Sequence, residues 1–188
     1  ETRRKGAEDC YFHNQFMQSH LLSQTDRYDL ILDVSAWDNY IEYGLLETDV
    51  SQVEEMQAAL QRTIAFFEVN HLKYAFVPQI PKQKTNIPRA FFRHQLGLND
   101  QEEYVLRSDY DIKLKRFEEM LYPSKNMIAL DSFFCDDEKC GGSQNGEIMY
   151  KDAHHISVTA GQTISYYLEG EIVNAIEGTG KTLEASAE

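Results

Sequence analysis

The sequence predicts an α/β fold, with helices layered on a mostly parallel sheet. Three observations predict it. Stretches of helical period are each followed by a short apolar run: residues 12–24 before 29–35, a long stretch ending at Val69 before 74–78, and 109–121 before 126–130. The first run, D-L-I-L-D-V-S, is apolar with turn residues at its ends, as a buried strand is. At 188 residues, 42% hydrophobic and 12% aromatic, the chain has enough material for one domain with its own core.

Each element has a local reason. Residues 1–10 are polar and charged and are expected to be loop. Phe12, Phe16, Met17, His20 and Leu21 then recur at helical spacing. After the turn T-D-R-Y comes the first strand, which runs into Ser35-Ala36-Trp37-Asp38-Asn39-Tyr40. Ligands of open α/β sheets bind at the C-terminal ends of strands, so Trp37 and Tyr40 stand where substrate contacts are expected. The two rings would serve equally to close the end of a core. Thr48 or Ser51 could cap the long helix, whose stripe is Val53, Met56, Gln57, Leu60, Ile64 and Phe67.

The second strand, 74–78, leads into a loop stiffened by Pro78, Pro81 and Pro88. Residues 89–108 are mixed. The helix 109–121 carries Ile112, Phe117, Met120 and Leu121 and stops at Pro123. A third strand, 126–130, precedes an excursion whose turn signals are Gly141-Gly142 and Asn145-Gly146. Residues 146–150 could form a short strand, and Ser157 caps a last helix to about 168 or 176. The tail from Gly178 is small and polar and is expected to fray.

A net charge of -13 excludes the basic surface that nucleic-acid binding needs. It suits a neutral or cationic partner, or plain solubility. No run of about 18 apolar residues is present to span a membrane as a helix, and no signal-peptide pattern is found. The first residue is Glu1 rather than Met, the mark of a start that is processed, cloned or truncated. Cys135 and Cys140 enclose a short polar loop that closes easily as a disulfide, which implies an oxidising compartment. Cys10 is then either a free thiol or paired with a cysteine upstream.

The chemistry centres on residues 150–157, Y-K-D-A-H-H-I-S. Asp152 and His155 stand three apart, so the carboxylate can fix one ring nitrogen and leave the other free to take a proton. His154 is read as a neighbour without a role. Cys135, Cys140, His154 and His155 are zinc-ligand types, but the cysteines are spaced too widely and adjacent histidines seldom face one ion. Gly178-Thr179-Gly180-Lys181-Thr182 ends like a phosphate loop, yet Ala175 stands at its first glycine and no strand precedes it. No metal or cofactor is expected.

The run F-F-C-D-D-E-K-C, then G-E-I-M-Y-K-D-A-H-H-I-S, then T-A-G, resembles the C-terminal block of the SGNH-type ester hydrolase domain. It is similar to the version fused to membrane acyltransferases of family 3, which O-acetylate bacterial surface glycans. The resemblance implies a three-layer α/β/α sandwich with a flavodoxin-like sheet. It implies an esterase or O-acyltransferase that works on acetyl groups of cell-envelope glycans, with His155 as base and Asp152 holding it. It further implies a periplasmic place, tethered through a transmembrane acyltransferase domain of the same protein. Trp37 and Tyr40 match the family segment R-W-x-x-Y, and Arg89 closes a proline loop ending P-R, so all three are candidate substrate contacts.

The chain departs from the family in one respect. It contains no G-D-S, the segment that carries the nucleophilic serine after the family's first strand. Residues 29–35 match the second main strand instead, so the first strand is expected to be missing and the serine to lie outside these residues. The resemblance then pairs Cys10 with a cysteine upstream of Glu1. Ser35 ends a strand, but nothing around it resembles a nucleophile turn, and Asn39 is not at the position of the oxyanion asparagine. The other reading is a periplasmic domain without catalysis that binds glycan or docks an acyltransferase.

Overall fold

The computed structural model describes residues 2–35, 37, 52–98 and 104–177, the side chains of 2–10 and Gln52 excepted. Helix α1 spans Thr2–Ser23, so the charged start is helical and not the expected loop. No proline interrupts residues 2–10, and Arg, Lys, Ala and Glu dominate them. Its expected apolar stripe lies open: Phe12 and Phe16 are more than half exposed, Met17 is exposed as well, and of the stripe Leu21 alone packs against the core described below. Strand β1 (Ile31–Val34) follows, then α2 (Gln52–Val69) and β2 (Tyr74–Val77). Thr48 and Ser51, the expected caps of α2, and Asn39 lie outside the described residues.

β1 and β2 pair in parallel, Ile31 opposite Tyr74 through Val34 opposite Val77. On its other side β2 meets residues 126–130. Phe76 N donates to Asn126 O at 2.8 Å and Ile128 N donates to Phe76 O at 2.9 Å. The expected third strand is thus present as one parallel bridge, Phe76 with Met127.

β2 is buried along its whole length, as a strand covered on both faces must be. Side chains alternate across it. Tyr74 and Phe76 join one cluster with Met56, Leu60, Ile64 and Phe67 of α2 and with Phe117, Met120 and Leu121 of α4 (Arg107–Leu121). Ala75 and Val77 join a second with Ile87, Ile128, Leu130, Tyr150, Ala160 and Ile164. Each such large apolar side chain contributes roughly 1.5–3 kcal/mol on leaving water. Gln61 clamps α2 to α4: its Nε2 donates to Met120 O at 2.8 Å and Tyr122 O at 3.0 Å, carbonyls that the end of α4 leaves open. β1 differs from its expectation. It is only half-buried, and no described residue pairs with its outer edge.

Between β2 and α4 lie two elements the sequence pattern missed. Helix α3 (Ile87–Gln95) starts inside the supposed loop, with Pro88 in its first turn and Asn86 Oδ1 accepting from Arg89 N at 3.0 Å. Strand β3 (Tyr104–Leu106) pairs antiparallel with β4 (Lys139–Gly141). β5 (Ser143–Gln144) and β6 (Glu147–Ile148) form a hairpin through Asn145-Gly146, with φ of 52° and 82°. Both positive angles suit the twist of a two-residue hairpin and favour Asn and Gly. The last helix, α5 (Val158–Glu177), is capped by Ser157, whose Oγ accepts from Ala160 N at 3.1 Å. A disulfide joins Cys135 to Cys140 as expected, while the Cys10 side chain and the tail from Gly178 lie outside the description.

Candidate active site

The loop between β6 and α5 is held from beneath before any chemistry is considered. The Tyr150 ring is fully buried, and its hydroxyl donates to Pro81 O at 2.7 Å. Burial pushes that phenol far above its ordinary pKa, so it stays a neutral donor. Gln83 N donates to Ala153 O at 2.7 Å and Ile87 N to Asp152 O at 3.3 Å, so the proline loop supports the second loop from one side. Lys151 N donates to His155 O at 2.7 Å and closes the loop on itself.

On this base Asp152 acts through both oxygens. Oδ1 accepts from the backbone N–H of His154 at 2.8 Å and of His155 at 2.9 Å. Oδ2 lies 2.7 Å from His155 Nδ1. The His154 backbone N–H first, then the His155 ring, hold the carboxyl far below the usual range, so it is ionised at any working pH. An ionised carboxylate only accepts, which puts the proton of a neutral His155 on Nδ1 and leaves Nε2 as the basic nitrogen. His154 lies beside the pair, its Nδ1 3.6 Å from Asp152 Oδ1 and its ring centroid 4.2 Å from that of His155.

His155 lines a cleft of about 590 Å³ at the C-terminal ends of β1 and β2. Its walls are mostly apolar, with Val34, Val77, Pro78, Ile156 and Ile164 among them. Ser35 also lines it but makes no hydrogen bond to His155. Gln79 and Lys82 reach the same cleft. Gln79 Oε1 is buried without a hydrogen-bond partner.

The other expected contacts are placed elsewhere. Trp37 sits in the first cluster, stacked on Phe117 at 5.5 Å and edge-on to Phe76 at 6.1 Å, and does not line the cleft. Its Nε1 is buried without a partner. Arg89 is in the first turn of α3 and also lies off the cleft. Tyr40 lies outside the described residues. Sequence reasoning looked to Arg89 at the end of the proline loop and passed over Gln79 and Lys82 at its start. The rule about strand ends already favoured the residues just after β2.

The structure thus sets an acid-held imidazole at the open end of two parallel strands in an α/β protein. The model of the family described as SGNH domain (fused to AT3 domains) matches residues 1–169, and the chain belongs to that family. Its type of function is that of a hydrolase or acyltransferase. No curated protein and no solved structure matches the chain. Among the described residues no helix is long and apolar enough to cross a membrane.

Proposed function

We propose that this chain supplies the acid–base half of a serine esterase or O-acyltransferase acting on acetyl groups of cell-envelope glycans. His155 takes the proton from a serine hydroxyl as the hydroxyl attacks the ester carbonyl, and returns it to the leaving sugar oxygen. Asp152 holds the tautomer and balances the imidazolium. The acetyl-serine is then released to water or to an acceptor sugar. No G-D-S occurs in these residues, so the serine comes from outside them.

The observation that carries the reading is the Asp152–His155 pair beside a cleft that Val34 and Ser35, at the end of β1, also line. The outer edge of β1 has no partner among the described residues. A parallel strand added there would lie about 4.8 Å away and end level with the cleft, where a nucleophile on its turn would meet His155. On this proposal the added strand extends the parallel sheet of a three-layer α/β/α sandwich. Trp37 and Arg89 then act, if on substrate at all, from outside the described cleft, and Tyr40 lies outside the described residues. The family's fusion partners suggest a transmembrane acyltransferase domain and an extracytoplasmic location, which the Cys135–Cys140 disulfide also suits.

The test is hydrolysis of an acetyl-ester dye by the full-length protein and by its His155→Ala variant. Loss of turnover in the variant is expected, and unchanged turnover sinks the assignment. The lack of a G-D-S favours one other reading, a glycan-binding or docking domain without catalysis. Acetylated glycan bound without turnover by a form that includes any upstream G-D-S would select it.

A further inference from the structure

We propose that Asp152, His154 and His155 form a site for a divalent transition ion such as zinc, and that an ion there switches the imidazole base off. One ligand atom from each of the three residues can be chosen so that all lie within 4.8 Å of one another. Ligand atoms around a four-coordinate zinc stand roughly 3.4 Å apart, given bonds of about 2.0–2.2 Å. The 3.6 Å between His154 Nδ1 and Asp152 Oδ1 already matches that spacing. The rest is reached by turning the two ring side chains, which are 48% and 65% exposed, and the His155 ring gives up its 2.7 Å bond to Asp152 where Nδ1 is the ligand atom.

The backbone beneath does not have to move. It is tied by Gln83, Ile87 and the Lys151–His155 bond, so the three side chains project from a fixed loop. Two imidazoles and a carboxylate, with water in the open position, suit zinc and copper better than magnesium or calcium. Cys135 and Cys140 are bonded to each other and offer no thiolate in competition. The ligand set drops the widely spaced cysteines but keeps the adjacent histidines, which seldom face one ion, and adds Asp152 between them as the third ligand.

His154 acquires a role that the proton relay does not give it. It converts a base and its orienting acid into a three-point clamp. An ion on His155 Nε2 occupies the lone pair that would take the serine proton. An ion on Nδ1 breaks the bond to Asp152. Either stops proton transfer while the cleft stays open. The switch rests on the proposed catalytic reading, whereas ion binding does not.

Titration calorimetry of the chain with zinc chloride, in a buffer that does not chelate, tests the site. Saturable one-to-one binding is expected, and His154→Gln should weaken it about tenfold or more. The ring nitrogen resonances of both histidines should shift together on titration. No saturable binding, or binding untouched by His154→Gln, overturns the site, since the ion would then sit elsewhere on the acidic surface. In the full-length protein zinc should suppress ester hydrolysis and a chelator restore it. Whatever turnover His154→Gln has without zinc, adding zinc should no longer suppress it. Binding without suppression overturns the switch alone. Binding in a protein with no turnover supports the site and overturns the catalytic reading instead.

Discussion

Replacing Asp152 by Asn separates the two tasks this carboxylate performs. An Asn Oδ1 can still accept the two backbone N–H bonds now made at 2.8 and 2.9 Å, so the loop keeps its turn. The second oxygen becomes an amide NH₂, a donor facing His155 Nδ1, where a charged acceptor stood at 2.7 Å. The imidazole must then accept at Nδ1 and carry its proton on Nε2, which leaves no basic lone pair toward the cleft. A base held in the wrong tautomer loses about 10³–10⁴-fold in kcat, or about 4–5 kcal/mol of transition-state stabilisation. The cost in stability is smaller, on the order of 1 kcal/mol, because the carboxylate is 31% exposed and water screens it. Two assays read the two effects. Ester hydrolysis by the full-length protein gives kcat. Long-range proton–nitrogen correlation spectra of the chain itself give the tautomer, expected Nδ1–H in the wild type and Nε2–H in the variant. Its depressed pKa adds a pH dependence. The contribution of the carboxylate is whole above the unfolded value of about 3.9 and is lost as pH falls toward the lower folded value, so the stability gap between the two proteins should close below about pH 4. An unchanged tautomer, or turnover within a few-fold of wild type, would refute the reasoning.

Three further outcomes follow from contacts around the loop. Tyr150→Phe leaves Pro81 O without its 2.7 Å donor in a buried place and should cost about 1–3 kcal/mol in urea denaturation, with turnover falling as the loop loosens. Gly142→Ala would set its Cβ 2.4 Å from Ile87 Cδ1, an overlap that should cost about 1–3 kcal/mol. Adding Ile87→Val should recover part of that loss, and strictly additive effects in the double variant would argue against the contact. Cys140→Ser opens a bridge of sequence separation 5 and should destabilise by about 2 kcal/mol on loop entropy, while a peptide map of unreduced wild type should hold Cys135 and Cys140 in one bonded pair.

What was legible in the sequence was local. α2 shows its stripe because Met56, Leu60, Ile64 and Phe67 face one cluster, and the hairpin shows itself because Asn145-Gly146 must take positive φ. Ser157 was readable as a cap since its hydroxyl serves a backbone group three residues on. α3 was missed although its signal is local too: Asn86 followed by Pro88 starts a helix, but three prolines close together were weighed as loop. β3 and β4 carry three residues each and pair across more than thirty, a distance over which no short pattern reports. Residues 126–130 have a strand's composition and only one bridge, because pairing depends on the neighbour and not on the run itself. Trp37 was given two readings, and the structure seats its ring in the core against Phe76 and Phe117.

The site divides along the same line. The spacing of Asp152 and His155 is readable because one carboxylate meets three donors within its own loop: the backbone N–H groups two and three residues on, and the ring of the third. The cleft is not readable in this way, since its walls come from the ends of two strands, a proline loop and α5. Nor is the half-buried state of β1, whose outer edge pairs with no described residue. The two facts meet in one place. Among the described residues the outer edge of β1 is unpaired, and Val34 and Ser35 at its end line the same cleft as His155, so a strand pairing there would also close one side of the cleft. A serine carried on that strand needs no separate device to reach His155, and binding of the strand and assembly of the catalytic group become a single event. Fold stability and turnover should then rise together when the segment carrying it is present, and a segment that stabilises the chain without bringing activity would break that link.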